Sequence, residues 1–310
     1  MTAPETRGIQ ITNFRKLYGK TEAVKEVSLS VERGELFGLI GPDGAGKTTL
    51  MRAVCTLLVP DGGTVLVQGR DAARDIAAVR ARLGYMPQRF SLYQDLTVEQ
   101  NLRFFADLFQ VRQKEREGRL EELYRFSRLG PFKKRRAGAL SGGMRQKLAL
   151  SCALVHTPET LVLDEPTTGV DPVSRHEFWE ILRAIQKEGT TILVSTAYLD
   201  EADRCDRVAL MHEGRIVAVG TPEEIKAGFR HVLYRLAGRD ARELRRFFSG
   251  LPQVHSTQLF GDAVHVVFAK KPGQSDWEEW RHALEGKLEH WSPERPSVED
   301  VFLELIGSGR

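Results

Sequence analysis

Short apolar runs recur along the first two thirds of the chain and are separated by stretches of helical periodicity. Residues 9–17 and 23–31 alternate apolar and polar positions, as strands with one buried face do. The runs at 35–41, 161–163 and 191–195 are apolar almost throughout, which is typical of strands buried on both faces. Because helical segments connect such strands, the pattern predicts a parallel sheet covered by helices on both faces.

Two changes of pattern divide the chain. A block of helical periodicity at about 90–157 interrupts the sheet-forming regions, and a different order of strands and helices follows Thr221-Pro222. We therefore predict a domain at 1–225 that carries a helical subdomain at about 90–157, and a small α+β domain at 226–310. In the second domain we expect a hairpin that turns at Gly261-Asp262, and helices at 241–250, 276–288 and 298–307.

The composition is that of an ordinary globular protein. The chain has 310 residues, of which 41% are apolar and 28% charged, and its formal net charge of +3 is too small to indicate nucleic-acid binding. The scattered Cys55, Cys152 and Cys205 form no CxxC pair, which favours a reducing compartment over a disulfide framework. We expect no secretory signal in the polar start MTAPETRG. We also expect no membrane-spanning helix, because no apolar run approaches about 18 residues.

A glycine-rich motif follows the run at 35–41 and precedes a helical pattern. It fits GxxxxGK(S/T) at every fixed position, in the strand–loop–helix context where this motif binds phosphates. Glycines let successive backbone N–H groups point at an anion, and the helix N-terminus adds partial positive charge. Lys47 is expected to reach the β- and γ-phosphates of ATP, and the Thr48 hydroxyl to bind Mg²⁺. The predicted ATP-binding residues of the motif are Gly41, Pro42, Asp43, Gly44, Ala45, Gly46, Lys47, Thr48 and Thr49.

Two carboxylates follow the apolar run at 161–163. Asp164 is suited to hold Mg²⁺ beside Thr48, and Glu165 to act as the general base that polarises the attacking water. An Asp-Glu pair at a strand end is otherwise a common solvated turn. In the company of the phosphate loop, the pair predicts an ATPase.

A second anion-binding turn lies at Ser141-Gly142-Gly143, ahead of a helix expected from Met144 to about Val155. One nucleotide does not need two such turns from a single subunit. The second turn is explained if two subunits pack head to tail and each lends its turn to the γ-phosphate that the other holds. LSGGMRQK, the phosphate loop and LVLDEPTTGVDP, in this order and spacing, resemble the ATPases of ABC transporters over about residues 9–222.

The resemblance implies a P-loop ABC ATPase fold, with a mixed sheet core, an antiparallel β edge and a helical insert. Tyr18 matches the aromatic residue that stacks on adenine, and Asp171 matches the aspartate that crosses the dimer interface. Gln88 matches the glutamine that contacts Mg²⁺ and water. The residues that match the turn contacting the partner's ATP are Ser141, Gly142, Gly143 and Gln146. The predicted catalytic residues are then Glu165, Gln88 and Lys47, and the predicted Mg²⁺ ligands are Thr48, Gln88 and Asp164.

The chain departs from the family at one position near the γ-phosphate. In the family a histidine follows Ser-Thr at the end of the last core strand, and here Ala197 follows Ser195-Thr196. Alanine has no polar side-chain atom, so a hydrogen bond to a charged group is lost, which is worth about 1.5–3 kcal/mol. We therefore expect ATP to bind and to be hydrolysed slowly.

The C-terminal part resembles the tail of bacterial type-2 and drug-resistance exporter ATPases, where it is regulatory or stabilises the dimer. Phe90, Leu92, Tyr93 and Leu96 resemble the groove that receives a permease helix, although packing within the insert explains each of them at least as well. The resemblance thus implies an exporter subunit that lies peripherally on the cytoplasmic face of the inner membrane. It implies a homodimer, or a dimer with a related ATPase, that drives separately encoded permeases and binds no nucleic acid. Two alternatives stay open: a soluble ABC ATPase acting on ribosomes or DNA, and an ATP-gated module with weak hydrolysis.

Overall fold

The structure of the chain, a computed structural model, describes residues 7–89 and 92–307. It divides into two units, Met1–Glu223 and Glu224–Arg310. Phe90, expected in a groove for a membrane partner, lies outside the described residues. Among the described residues, every helix is too short or too polar to span a bilayer.

The first unit alternates strands and helices along the chain. Its strands are β1 (Arg7–Tyr18), β2 (Thr21–Glu32), β3 (Leu36–Ile40), β4 (Gly62–Val67), β5 (Arg70–Asp71), β6 (Leu83–Met86), β7 (Thr160–Asp164), β8 (Thr191–Thr196), β9 (Arg207–His212) and β10 (Arg215–Gly220). Its helices are α1 (Lys47–Val54), α2 (Ile76–Arg80), α3 (Val98–Leu108), α4 (Gln113–Ser127), α5 (Gly142–Leu154) and α6 (Pro172–Lys187), and α7 (Pro222–Ala227) lies at the boundary with the second unit.

Six of these strands form the central sheet, in the order β10-β9-β3-β8-β7-β6. All neighbours are parallel except β10, which pairs antiparallel with β9. Every residue of β3, β7 and β8 is buried, which explains their nearly continuous apolar sequences. The sheet is therefore mixed, as the resemblance implied, and its parallel part agrees with the hydrophobic pattern.

A second, antiparallel sheet has the order β2-β1-β4-β5. Its buried positions recur at every second residue over much of β1 and β2, as the alternating sequence predicts. Ile9 and Phe14 from this sheet share one core with Leu50 of α1 and with Leu39 and Leu193 of the central sheet. The first helix is thus buried in the core that joins the two sheets, which fixes the loop in front of it.

The helical insert contains α3, α4 and α5. A capping box begins α3, because Thr97 Oγ1 accepts from the Gln100 N–H and the Gln100 side chain accepts from the Thr97 N–H. Gln110 adopts a left-handed conformation (φ 54°) between α3 and α4, so the chain turns there within the helical pattern of the insert.

The second unit is a four-stranded antiparallel sheet with helices. Its elements are β11 (Val232–Gly238), α8 (Ala241–Ser249), β12 (Val254–Phe260), β13 (Ala263–Phe268), α9 (Gln274–Ala283), β14 (Leu288–Pro293) and α10 (Val298–Gly307), and the strand order is β12-β13-β11-β14. The hairpin at Gly261-Asp262 is present. The expectation that helix continues to residue 288 is wrong, because Gly286 turns the chain (φ 75°) and Leu288 begins an edge strand.

One face of this sheet buries an aromatic core. Trp280 stacks on Phe268 with ring centroids 5.5 Å apart, and Trp277 stacks on Trp291 at 5.3 Å. His265 alternates with the core residues of β13 and so points to the other face, where its Nδ1 lies 3.0 Å from Asp300 Oδ1 of α10. The N–H and hydroxyl of Ser297 donate to the other carboxylate oxygen of Asp300. The buried carboxylate therefore joins the start of α10 to the sheet.

The charge of Asp300 depends on these donors. Burial alone would raise the pKa of Asp300, but the hydrogen bonds from His265 and Ser297 lower it below the ordinary value. A carboxyl whose pKa is lower in the folded than in the unfolded state stabilises the fold above its unfolded pKa, about 3.9 for Asp. That contribution is lost as the pH falls through the folded value.

Asp300→Asn is therefore expected to lower the free energy of unfolding of the second unit by about 1–3 kcal/mol near neutral pH. The difference from wild type should shrink as the pH falls below the unfolded pKa, about 3.9, towards the lower folded value. Urea denaturation of the full chain, followed by tryptophan fluorescence, measures it, because three of the four tryptophans (Trp277, Trp280 and Trp291) lie in this unit.

The matched control is Asp262→Asn, since the Asp262 side chain is 91% exposed and pairs with Arg235 at the surface. It should change the free energy of unfolding by less than about 1 kcal/mol. Equal effects of the two substitutions, or a difference that widens in acid, would contradict the assignment.

Candidate functional site

The glycine-rich loop lies between β3 and α1 and is held by close packing. A Cβ at Gly41 would lie 2.0 Å from a carbonyl oxygen of β9, and a Cβ at Gly46 would lie 2.6 Å from a carbonyl oxygen of β2. Gly44 has φ 78°, and a Cβ there would have no atom of the described residues within 4 Å except those of its chain neighbours. The loop is thus fixed at both ends and open at Gly44, where a phosphate group has room.

Lys47 is the first residue of α1, and its ammonium group turns back into the loop. Nζ donates to the carbonyl oxygens of Gly41 at 2.7 Å and Pro42 at 3.0 Å. It also lies 3.1 Å from Glu165 Oε1, and the two side chains are only 3% and 6% exposed. A buried cation is therefore held at the mouth of the loop by two carbonyls and one carboxylate.

Asp164, the last residue of β7, accepts two hydroxyl donors on the same oxygen. Ser195 Oγ donates to Oδ1 at 2.7 Å and Thr48 Oγ1 donates at 3.2 Å. Burial raises the pKa of Asp164, and these hydrogen bonds oppose the rise only in part. The other oxygen, Oδ2, is buried and has no hydrogen-bond partner among the described residues. An unpartnered buried carboxylate oxygen beside a threonine hydroxyl is suited to a hard cation.

Glu165 follows in a left-handed conformation (φ 50°), which is strained for a residue with a side chain. Its N–H donates to the carbonyl and to the hydroxyl of Ser195. Its Oε2 accepts from Gln88 Nε2 at 2.9 Å and from Thr168 Oγ1 at 3.4 Å. The structure thus brings Lys47, Gln88 and Glu165, the three residues predicted to be catalytic, into direct contact.

Tyr18 ends β1 next to the hairpin turn, and its side chain is 48% exposed. The same hairpin supplies the β2 carbonyl that packs against Gly46, so Tyr18 lies on the element that borders the loop. Asp43 is exposed, and Thr49 is half-buried in the first turn of α1. Stacking of Tyr18 on adenine stays a prediction.

The second predicted anion site is the N-terminus of α5. Ser141 Oγ accepts from the Met144 N–H at 3.3 Å and caps the helix, so that α5 begins at Gly142, two residues before its expected start. A Cβ at Gly143 would lie 2.5 Å from the Ser174 side chain of α6. The glycine therefore lets α5 approach α6 closely within one chain.

One cleft is lined both by this turn and by residues near the catalytic cluster. Gly142 and Gln146 line it together with Gln88 and Thr168. Because Gln88 also donates to Glu165, it connects the cleft with the base. Contacts of the α5 turn with a nucleotide on another subunit stay a prediction.

Asp171 is exposed and caps α6, because Oδ1 accepts from the Ser174 N–H at 2.9 Å. This hydrogen bond lowers the pKa of Asp171 below the ordinary value for an aspartate. Its predicted place at an interface is compatible with exposure but is not tested within one chain. Ala197 follows β8, and beside it the Arg175 guanidinium lies 4.7 Å over the Tyr198 ring.

Sequence reasoning missed Ser195, which contacts both Asp164 and Glu165. The signal was present but weak: a polar residue ends the apolar run at 191–195. Its role depends on strand order, because β8 lies between β3 and β7 and pairs Ser195 with Asp164. Strand order is not readable from local pattern, so the residue could not be placed.

Comparison with known proteins identifies the family of the chain. A family model described as ABC transporter matches residues 24–168. The probable multidrug ABC transporter ATP-binding protein YbhF of Escherichia coli (strain K12) is 44% identical over 289 residues, which is 92% of this chain and 49% of YbhF. The chain thus spans about half the length of that relative.

Two further relatives match over most of their length. The Nod factor export ATP-binding protein I of Sinorhizobium fredii is 37% identical over 96% of this chain and 86% of its own. The daunorubicin resistance ATP-binding protein DrrA3 of Streptomyces coeruleorubidus is 36% identical over 97% of this chain and 96% of its own.

Solved structures confirm the fold class predicted from the sequence. CbiO1 of Clostridium perfringens, part of the ABC transporter complex CbiONQ, matches with a TM-score of 0.66 and 29% identity, over 72% of this chain and 92% of CbiO1. The dimeric structure of MJ0796, a bacterial ABC transporter cassette, matches with a TM-score of 0.63 and 26% identity, over 69% of this chain and 98% of MJ0796. The chain therefore belongs to the ABC transporter family and has the fold of its P-loop ATPases.

Proposed function

We propose that the chain is the ATPase subunit of an exporter, peripheral to the cytoplasmic face of the membrane. Two copies, or one copy and a related ATPase, close head to tail around two ATP molecules and drive separately encoded membrane permeases. The similarity to multidrug, Nod factor and daunorubicin resistance ATP-binding proteins over more than nine tenths of the chain supports the exporter role. The observation that carries the motor role is the buried contact between Lys47 and Glu165.

This contact joins the group that binds phosphate to the group that activates water. When the β- and γ-phosphates of ATP enter the loop, they compete with Glu165 for the Lys47 ammonium group. Glu165 Oε1 is then released to accept a proton from the attacking water, while Gln88 still holds Oε2. Binding of ATP therefore frees the Glu165 carboxylate to act as the base. ADP lacks the γ-phosphate and so competes less strongly for Lys47.

The residues around Asp164 fit a Mg²⁺ ion. The unpartnered Oδ2 of Asp164, the Thr48 hydroxyl and the Gln88 amide oxygen are the oxygen ligands that Mg²⁺ prefers. When bound, the ion supplies positive charge that neutralises the phosphate oxygens. Within the chain, Ser195 orients the carboxylate for this purpose by donating to Oδ1.

The α5 turn supports closure of two subunits. Ser141 is exposed at a helix N-terminus, and a Cβ at Gly142 would have no atom of the described residues within 4 Å beyond its own helix and chain neighbours. A γ-phosphate held by another subunit has room there and would find helix-end N–H groups. That MJ0796 has a dimeric structure supports the same arrangement here. Asp171 and the helix it caps then lie at the interface.

Glu165→Gln is expected to lower kcat for ATP hydrolysis by about 10²-fold or more, because the amide cannot accept the proton. ATP binding should be retained, since Lys47 and the loop are intact, and the protein should accumulate as an ATP-dependent dimer. Steady-state ATPase assays and light scattering with and without ATP measure both effects.

The control is the double variant Glu165→Gln/Ser141→Arg, which should bind ATP and stay monomeric. Two results would contradict the proposed motor function: a Glu165→Gln variant that binds ATP without dimerising, and one that hydrolyses ATP at the wild-type rate. When tagged Glu165→Gln is purified from detergent-solubilised membranes in the presence of ATP, its membrane-spanning partner should be purified with it. Purification of the tagged variant without any membrane-spanning protein would contradict the exporter role.

Ala197→His is expected to raise kcat by about tenfold or more, because an imidazole restores a hydrogen bond to a charged phosphate, worth about 1.5–3 kcal/mol. Ala197→Leu adds similar bulk without a polar atom and should not raise kcat. Unchanged turnover in Ala197→His would mean that another group already makes this contact. Single-turnover hydrolysis measures the chemical step directly.

Ser195→Ala is expected to lower kcat by about tenfold, because Asp164 and the Glu165 N–H each lose a hydrogen-bond partner at a buried site. Ser195→Thr, which keeps the hydroxyl, should retain more of the activity. The matched control is Ser151→Ala, since the buried Ser151 hydroxyl only donates to the Lys147 carbonyl within α5. Equal ATPase rates in Ser195→Ala and Ser151→Ala would remove Ser195 from the site.

A further inference from the structure

Glu201 is a buried carboxylate outside the site described so far. It lies in the short 3-10 helix Leu199–Arg204 that follows β8, and it is only 3% exposed. Glutamate is almost never fully buried unless it is paired, because its charge is costly to remove from water. Its partners therefore indicate what the buried charge holds in place.

Two threonine hydroxyls donate to the same oxygen of Glu201. Thr196 Oγ1 lies 2.6 Å from Oε2 and Thr167 Oγ1 lies 3.1 Å from it. Both threonines are buried, and they belong to different segments of the ATPase site. Thr196 ends β8 immediately before Ala197, and Thr167 is the second residue after Glu165. One carboxylate oxygen thus fixes the distance between these two segments.

The second oxygen of Glu201 is less well satisfied. Oε1 is buried without a hydrogen bond among the described residues, and its nearest cation is Arg175 Nε, 3.9 Å away. Arg175 lies in the first turns of α6, the helix that Asp171 begins. Glu201 therefore also attracts the helix that carries the predicted interface residue.

These contacts bear on the strained backbone of Glu165. On its N-terminal side, the Glu165 N–H is held by the carbonyl and hydroxyl of Ser195. On its C-terminal side, the chain continues through Pro166 to Thr167, which Glu201 holds. A left-handed glutamate persists only when its surroundings restrain it, and the restraint here comes from both sides.

We propose that Glu201 is a positioning residue for ATP hydrolysis, which keeps the Glu165 carboxylate at the phosphate loop by anchoring Thr167 to the end of β8; this inference rests on the proposed function. Without the anchor, the segment 165–170 relaxes towards an ordinary backbone conformation, and the base leaves its place beside Lys47 and Gln88. The phosphate loop itself is unaffected, so the change falls on the chemical step and not on ATP binding.

Glu201→Ala is expected to lower kcat at least tenfold while KM for ATP changes less than threefold. Glu201→Gln keeps an amide oxygen that accepts both hydroxyls and should retain most of kcat. Thr167→Val removes one donor with little change of volume and should lower kcat in the same direction as Glu201→Ala. The double variant Glu201→Ala/Thr167→Val should be no slower than Glu201→Ala alone, because both changes break the same anchor.

The control is Glu35→Gln, which alters another buried carboxylate of the same unit. Glu35 accepts from the Glu32 N–H and pairs with Arg207. Urea denaturation should show that Glu35→Gln and Glu201→Ala both destabilise the fold, whereas only Glu201→Ala lowers kcat. Equal kcat in the two variants, or a kcat of Glu201→Ala within twofold of wild type, overturns the proposal.

The remaining outcomes are also decisive. If Glu201→Ala does not fold, Thr167→Val takes its place, and wild-type kcat in Thr167→Val overturns the proposal. Failure of the proposed function would look different, because wild type and Glu165→Gln would then hydrolyse ATP equally. A wild type that is active, a Glu165→Gln variant that is inactive and a Glu201→Ala variant that is fully active would reject the anchor alone.

Discussion

A cation and an anion that are both buried and in contact govern the site. Lys47 and Glu165 are 3.1 Å apart and almost wholly removed from water. Attraction within such a pair repays its desolvation only when the remaining donors and acceptors are satisfied. Here two loop carbonyls accept hydrogen bonds from the ammonium group, and Gln88 donates one to the carboxylate. In the proposed function, the triphosphate replaces Glu165 as the partner of Lys47. Binding and catalysis are coupled in this proposal because both use the same lysine.

The order of strands explains why the site assembles there. β8 lies between β3, which leads into the phosphate loop, and β7, which ends in Asp164. Thr196 of β8 accepts from the Gly41 N–H through its carbonyl, and Ser195 contacts both acidic residues. One central strand thus contacts the phosphate loop on one side and Asp164, the proposed metal ligand, on the other. The parallel arrangement brings all three strand ends to the same edge of the sheet, where ligands of such sheets bind.

The sequence predicted the parts of this site that are local. The phosphate loop is contiguous, and its glycines, Lys47 and Thr48 lie where the strand–loop–helix context puts them. The roles of Ser195 and Glu201 were not predicted, because they depend on which strands are neighbours in the sheet. The break at Gln110 and the strand that begins at Leu288 were not predicted for another reason. Helical periodicity continues across both positions in the sequence, and a residue with positive φ turns the chain in each case. Local pattern therefore identifies the chemistry, and non-local pairing decides what supports it.

The elements proposed to meet a second subunit are connected to one another within the chain. Gly143 of α5 packs directly against Ser174 of α6, and Lys147 forms an ion pair with Glu177 one turn further along. The α5 turn and the helix capped by Asp171 are thus held together. The cap at Ser141 is a long, neutral hydrogen bond, and such a bond is easily exchanged for a phosphate. The cap at Asp171 is charge-assisted and shorter, so it keeps α6 in place. The segment 166–170 connects these helices with Glu165, and within it the Thr167 hydroxyl is held by Glu201. The proposed anchor therefore lies between the base and the helices that are expected to meet a second subunit.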